Sequence, residues 1–311
     1  MLGGRDAMSG PAAALLVVGD VVTDVVALHA GPLPPGADLP AEITVRAGGS
    51  AANTAAWAAA LGADARLLAR AGADAADWHA ARLAEAGVRP HLRVDAACPT
   101  AVIIVMVDAA GERTMLTQRG AGARLGPGDW DDALLDGAAW LHVSGYVLFT
   151  APGRALAERA VAAARARGAG VSVDPASAGD LRRWGPDRFL AATEGADVLL
   201  PNRDEAVLLG GVPDPRAAAA RLSGRYGLVA CKLGADGALA ARDGRIVAQV
   251  PARRVRAVDS TGAGDAFAAG FLTARLSGAP VPDALAAGCR AGARAVTAVG
   301  GRPPAPPRTA G

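Results

Sequence analysis

The chain has 311 residues, 51% of them hydrophobic and 20% charged, with a formal net charge of +2. That balance belongs to a globular protein with a sizeable core and excludes a disordered chain. A charge so close to zero leaves no footprint for nucleic acid or a membrane surface, and no run of about 18 apolar residues offers a membrane span. Cys98, Cys231 and Cys289 lack Cys-x-x-Cys spacing, so neither a zinc site nor a disulfide framework is supported. A reducing, cytoplasmic setting is the expectation. His29, His79, His91 and His142 show no ligand spacing, and Lys232 is the one lysine.

From the N-terminus, "ALLVVGDVVTDVVAL" (14–28) predicts a strand that bends near Gly19 into a second, and "AEITVRA" (41–47) predicts a half-exposed strand. "GGSAANTAAWAAALG" (48–62) is a Gly-Gly turn opening a helix that stops at Gly62. A strand "DARLLARAG" and a helix ending at Gly87 follow, then short strands between 92 and 118. A helix is expected near 129–136, the strand "AWLHVSG" after it, and a long helix from "APGRALAERAVAAARARG". Next come the strand "GVSVDP", a helix to about 195, the strand "DVLLPN" and helices from 203 and over 215–224. The strand "GLVACKLG" leads into an antiparallel pair, "GALAARDGRIVAQV". "RRVR" (253–256) suits a solvated edge strand, and long helices start at 263 and 281. Buried strands alternating with helices argue a mostly parallel sheet covered on both faces. The early alternating strands, drawn from about 28–47 and 92–120, suit a small β-sheet lid on a domain spanning 14–304. Residues 1–12 and 305–311 read as disordered ends.

Several phosphate-handling motifs are missing: there is no GxxxxGK[ST], GxGxxG, GxSxG or HRD. "DSTGAGD" (259–265) is different. Gly262, Ala263 and Gly264 expose consecutive amides at a helix start, where the dipole favours anions, and Asp265 follows at once. The carboxylate is either a helix cap or a base beside an anion nest. In "AGGSAANTA", Gly48 and Gly49 permit close backbone approach and Asn53 both donates and accepts. Asp24 adds an acceptor for sugar-like hydroxyls. Asn202 and Glu205, three apart at a strand-to-helix junction, are either a capping pair or oxygen donors near a hydrated Mg²⁺.

The ordered set GGSAAN, PNRDE, KLGADG and DSTGAGD resembles the ribokinase-like (PfkB) family of carbohydrate and nucleoside kinases over nearly the whole chain, roughly 14–304. The resemblance implies a three-layer α/β/α domain with a mostly parallel sheet and a β-sheet lid. It implies ATP and Mg²⁺, with Asp265 as general base and Gly262, Ala263 and Gly264 as the anion hole. Asp24, Gly48, Gly49 and Asn53 would hold the sugar; Asn202 and Glu205 match the NxxE motif that organises Mg²⁺ and phosphate. Lys232, Gly234 and Gly237 fall at the nucleotide, Lys232 either on a phosphate or as a strand-end charge. For the monovalent cation (K⁺) bound by many relatives, Asp259, Thr261, Ala295, Ala298 and Gly300 occupy the matching positions, but Pro304 stands where ribokinase has a serine ligand.

Ser50 replaces the lysine of ribokinase, which favours an unphosphorylated sugar or polyol, although Arg46 lies close in sequence. A nucleoside is the alternative, and a non-catalytic ligand-binding relative is the reading from another class. The absence of aromatic residues between 31 and 56 argues against base stacking; Ile43, Val45, Met106 and Met115 are candidates for an apolar wall. A homodimer through the lid strands completes the expectation.

Overall fold

The computed structural model describes residues 13–31, 33–36, 38–108 and 113–304. The expected disordered ends, 1–12 and 305–311, therefore lie outside the described residues. The chain opens with β1 (Ala14–Val18), β2 (Val22–Leu28), β3 (Glu42–Gly48), α1 (Ser50–Ala60), β4 (Asp64–Gly72), α2 (Ala76–Glu85) and β5 (Arg89–Asp95). β6 (Ala101–Val107), β7 (Arg113–Gln118), β8 (Ala138–Ser144), α3 (Ala151–Ala166), β9 (Gly170–Asp174), α4 (Ala178–Trp184) and α5 (Pro186–Ala192) follow. The remainder is β10 (Val198–Leu199), α6 (Arg203–Gly210), α7 (Pro215–Leu222), β11 (Leu228–Lys232), β12 (Ala238–Arg242), β13 (Arg245–Val250), α8 (Ala263–Leu276) and α9 (Val281–Ala295).

Nine strands form one sheet in the order β13-β12-β11-β10-β9-β8-β1-β4-β5, parallel from β11 to β5, with β12 and β13 antiparallel at one edge. β1 is buried along its whole length, as a strand covered on both faces must be. Its alternation sorts the two cores. Leu16 and Val18 pack with α3, α5 and α7, whereas Leu15 and Val17 pack with α1, α8 and α9. Helices thus cover each face, and the expected three-layer architecture is present.

A second sheet, in the order β3-β2-β6-β7, stands apart. It corrects the expected lid boundaries. All of Val22–Leu28 belongs to it, but Arg89–Asp95 does not: β5 pairs parallel with β4 at the edge of the large sheet. The helical crossover through α2 returns the chain beside β4, where a parallel partner requires it.

Other boundaries differ for local reasons. The helix expected near 129–136 is two 3-10 turns, Pro127–Asp129 and Asp132–Leu135. Asp131 caps the second through the Ala133 amide at 3.0 Å, and Gly137 ends it after one turn. The helix expected to about 195 breaks at Gly185–Pro186 into α4 and α5. "RRVR" forms no strand: Pro251 ends the β13 ladder by removing an amide donor, and residues 253–256 run exposed.

α8 and α9 approach closely because small residues face each other across them. A Cβ on Gly270 would meet the Ala287 carbonyl oxygen at 2.7 Å and Ala291 Cβ at 2.9 Å. Gly270→Val should therefore lower stability by roughly 1–3 kcal/mol through overpacking. Urea unfolding checks this: the midpoint falls while the slope is unchanged.

Candidate active site

A cleft of about 1410 Å³ opens at the carboxyl ends of the parallel strands, roofed by the small sheet. Open α/β sheets gather ligands at this end, because the strand-to-helix turns there present helix N-termini together with strand-end side chains. Here Asp20 follows two residues after β1, Asp174 ends β9 and Lys232 ends β11, and all three line the cleft. α1 and α8 point their N-termini into the same space.

At α8 the turn is built as the sequence suggests. Gly262 takes φ 72°, a left-handed conformation that favours glycine. A Cβ there would also meet Gly301 Cα and its carbonyl oxygen at 2.5 Å, so the 300–302 turn closes on to the nest. The Ala263 amide donates to the Ser260 carbonyl at 3.3 Å. The Gly262 and Gly264 amides have no partner among the described residues and border the cleft. Two unpaired donors at a helix start are suited to an anion.

Asp265 opens on to the cleft one residue beyond. Ser50 Oγ donates to its Oδ1 at 2.8 Å, and Asn53 Nδ2 donates to its Oδ2 at 3.0 Å. Loss of solvation pushes this carboxyl up to about 7; the two hydrogen bonds oppose the rise, while Asp174 and Asp20 add to it. Asn53 Oδ1 is buried with no partner among the described residues, an acceptor turned toward the site. Thus the Gly-Gly segment and the DSTGAGD segment, more than two hundred residues apart, meet through one carboxylate.

Asp24 lies against the Gly48 backbone so closely that a Cβ on Gly48 would meet its Oδ2 at 2.0 Å. Its carboxyl rises to about 6, first through burial and then through Asp20; Arg302 opposes the rise and Asp259 adds to it. Asp20 caps α1, accepting from the amides of Ser50 at 3.3 Å and Ala51 at 3.1 Å. Gly49 completes the turn between them and lines the cleft.

On the other flank, Lys232 Nζ pairs with Asp174 Oδ2 at 2.5 Å, both groups largely buried. A Cβ on Gly264 would lie 3.5 Å from that ammonium, so the cation sits beside the anion nest. Burial alone would lower the lysine's affinity for its proton, but Asp174 and Glu205 more than compensate and it stays charged. Asn202 and Glu205 form a reciprocal capping box: the Glu205 amide donates to Asn202 Oδ1 at 2.9 Å, and the Asn202 amide donates to Glu205 Oε2 at 2.8 Å. Both also line the cleft. Burial raises the Glu205 carboxyl to about 7, and Lys232 opposes the rise. Gly234 and Gly237 shape the turn after β11, closed by Leu233 N donating to the Gly237 carbonyl at 2.8 Å.

Asp259 binds the amides of Thr261 at 2.8 Å and Gly300 at 2.9 Å, drawing the turn before α8 to the turn after α9. Ala295, Ala298 and Gly300 lie on that second turn, where the Ala298 amide donates to the Ala295 carbonyl at 3.3 Å.

Two corrections concern the lid. Pairing of Asp24 with Arg46, and of Val25 with Val45 and Ile104, puts Ile43, Val45 and Met106 on the face away from the cleft. The apolar wall is instead Ile103, Val105 and Met115. Arg46 does not turn toward an acceptor either: its Nη1 donates to the Val299 carbonyl at 2.7 Å. Asp20, Ser50 and Asp174 were not among the candidate residues. The local signal for Asp20 and Asp174 is an acid closing a buried apolar strand; Ser50 carried none beyond its place in the Gly-Gly turn.

Compared with known proteins, residues 12–308 match the model of the pfkB family carbohydrate kinases. The chain is 35% identical over 255 residues to a fructokinase of Klebsiella pneumoniae, covering 77% of this chain and 80% of that protein. It is 36% identical over 249 residues to an ATP-dependent ribose-1-phosphate kinase of Halopiger xanaduensis, covering 76% of each. Among solved structures, a probable sugar kinase from Rhizobium etli CFN 42 superposes with a TM-score of 0.85 at 26% identity, over 94% of this chain and 95% of that one. With the anion nest, its neighbouring acid and the roofed cleft in the order that the family model spans, the chain belongs to the pfkB family of carbohydrate kinases.

Proposed function

We propose that this kinase transfers the γ-phosphoryl group of ATP to a hydroxyl of a small unphosphorylated sugar, with Asp265 as the general base. The observation that carries the reading is a single carboxylate, raised to about 7 and facing the cleft, one residue past the free amides of Gly262 and Gly264. The acceptor hydroxyl gives its proton to Asp265 as its oxygen attacks phosphorus. The amides of the nest, with Lys232 beside them, meet the charge that accumulates on the phosphoryl oxygens. Asp24 and Asn53 orient the other hydroxyls, and Ser50 and Asn53 fix the rotamer of the base. Gly234 and Gly237 border the nucleotide.

Mg²⁺ fits the site: Glu205 and Asn202 offer oxygen donors on the cleft wall, and they would hold the ion through water. The ion supplies charge neutralisation of the phosphates when bound. For a monovalent cation between Asp259, Thr261, Ala295, Ala298 and Gly300 the fit is incomplete. Arg46 Nη1 already lies on the Val299 carbonyl and 3.2 Å from where a Gly300 Cβ would be, and Pro304 offers no hydroxyl. No step is assigned to such an ion.

The acceptor end favours a neutral polyol. Asp20, Asp24 and Asp265 converge there; of the nearby cations Arg119 pairs with Asp180 at 3.1 Å, Arg46 donates to the Val299 carbonyl and Arg302 lies in the field of Asp24. Carboxylates so placed accept from hydroxyls and repel an existing phosphate. A nucleoside fits less well, because no lid strand carries an aromatic residue on which a base could stack. Acceptor-dependent ADP release from Mg·ATP, scored over pentoses, hexoses, sugar phosphates and nucleosides, is the test. Turnover with neutral sugars is the expected result, and turnover confined to sugar phosphates or nucleosides would refute it. Asp265→Asn should keep ATP binding and reduce kcat by ~10²–10⁴-fold; near-normal turnover would remove the base from its role.

The pH dependence has a defined sign. A base must be ionised to act, so kcat/KM with sugar should rise with pH and level off above an apparent value near 7, the Asp265 carboxyl. An acid limb near 4 instead would place the base elsewhere.

A homodimer through the lid follows from the face away from the cleft. Ile43, Val45 and Leu116 are 62%, 59% and 56% exposed on it, an apolar surface of the kind that marks association. Sedimentation equilibrium should give a dimer for the native chain and a monomer for Val45→Lys; a monomeric native chain overturns this.

A further inference from the structure

The segment "RRVR" has no part in the chemistry above, and its Arg253 and Arg254 line both the cleft and a second cavity. A groove of about 660 Å³ runs between α8, α9, the end of α1 and residues 253–255, backing on to the nucleotide end of the cleft. Four arginines line it, Arg253 and Arg254 from the segment and Arg290 and Arg294 from α9, and no acidic residue does. None of the four has an ion-pair partner among the described residues, and all four are exposed. Their charge is twice the net charge of the whole chain, gathered in one concavity. Elsewhere this protein pairs its arginines where acids are near, as with Arg70 between Asp95 and Asp129.

Two features set the groove apart from a solvated basic face. Arg294 lies over the ring of the buried Trp57, its guanidinium carbon 5.6 Å from the centroid. Thr273 Oγ1, on the α8 wall, is buried with no hydrogen-bond partner among the described residues, although a helical threonine ordinarily bonds back to its own backbone.

We propose that this groove is a second anion site, distinct from the catalytic cleft, which takes a small soluble molecule bearing two phosphoryl groups. The two arginine pairs come from separate segments and would each meet one group, with the planar forks of guanidinium matching phosphate oxygens. Arg290 and Arg294 do not border the catalytic cleft, so they separate this site from nucleotide binding.

The test is calorimetric titration of pyrophosphate into the full chain with the nucleotide site saturated by a non-hydrolysable ATP analogue. One pyrophosphate per chain should still bind, more tightly than inorganic phosphate. Arg290→Gln combined with Arg294→Gln should weaken it by roughly tenfold or more, the loss of charged hydrogen bonds, while leaving analogue affinity and sugar turnover unchanged. Arg290→Gln alone, which spares the contact with Trp57, should show part of the loss. No pyrophosphate binding once the analogue is bound, equal affinity for pyrophosphate and inorganic phosphate, or undiminished affinity in the double variant overturns the proposal. Analogue affinity is measured separately, so failure of the groove and failure of the nucleotide reading are distinguishable.

Discussion

The structure of the site depends on holding one carboxylate, that of Asp265, poorly solvated on the cleft wall with no ion-pair partner among the described residues. Ionised carboxylates leave water at high cost, and here neutral donors supply the compensation: Ser50 Oγ on one oxygen and Asn53 Nδ2 on the other. The cation of the site, Lys232, is committed to Asp174 at 2.5 Å. That division is chemically useful. A lysine paired directly with Asp265 would hold the carboxyl far below neutrality and make it a poor base, whereas hydrogen bonds steady the side chain and leave its proton affinity high.

The same division explains the charge layout of the cleft. Acids collect at the end roofed by Asp24 and capped by Asp20, where hydroxyls need acceptors. Lys232 and the helix amides collect where phosphate oxygens need donors. The large sheet positions Asp20 and Lys232 at or just past its strand ends, whereas Asp24 stands on β2 of the small sheet and the amides open α8.

What could be read in the sequence follows from what is local. The nest and its acid are contiguous in DSTGAGD, and the capping box is three residues wide, so both were legible before any folding was known. Ser50 was not, because its role is a contact with residue 265, made only after α1 and α8 pack together. Asp20 and Asp174 each stand at or just past the end of a buried strand, a signal that names a position but not which other strand ends converge on it. The lid shows a different limit. The alternation of "AEITVRA" reveals two faces, but which one meets the cleft is decided by register with Val22–Leu28, and a shift of one residue would exchange them. Ile43 and Val45 are apolar for the outer face, where a reading confined to one strand assigned them to the inner. The expected helix near 129–136 failed because Asp129 bonds back to the Gly126 amide and Asp131 starts a separate turn by capping the Ala133 amide.

The lid and the anion nest are connected by a short chain of contacts. Arg46, on β3, holds the Val299 carbonyl; Gly300 donates to Asp259 at 2.9 Å; and Gly301 packs directly against Gly262, the residue that opens the nest. Trp57 of α1 adds a bond from its Nε1 to the Gly301 carbonyl at 2.9 Å, so the same turn is braced from α1. The conformation of Gly262 is therefore set by a turn that both the lid and α1 grip. Because φ at Gly262 aims the amides of 262–264, the direction in which the nest points is coupled to the placement of the strand that covers the substrate. The 299–301 turn, with no catalytic side chain of its own, is what joins roof to floor.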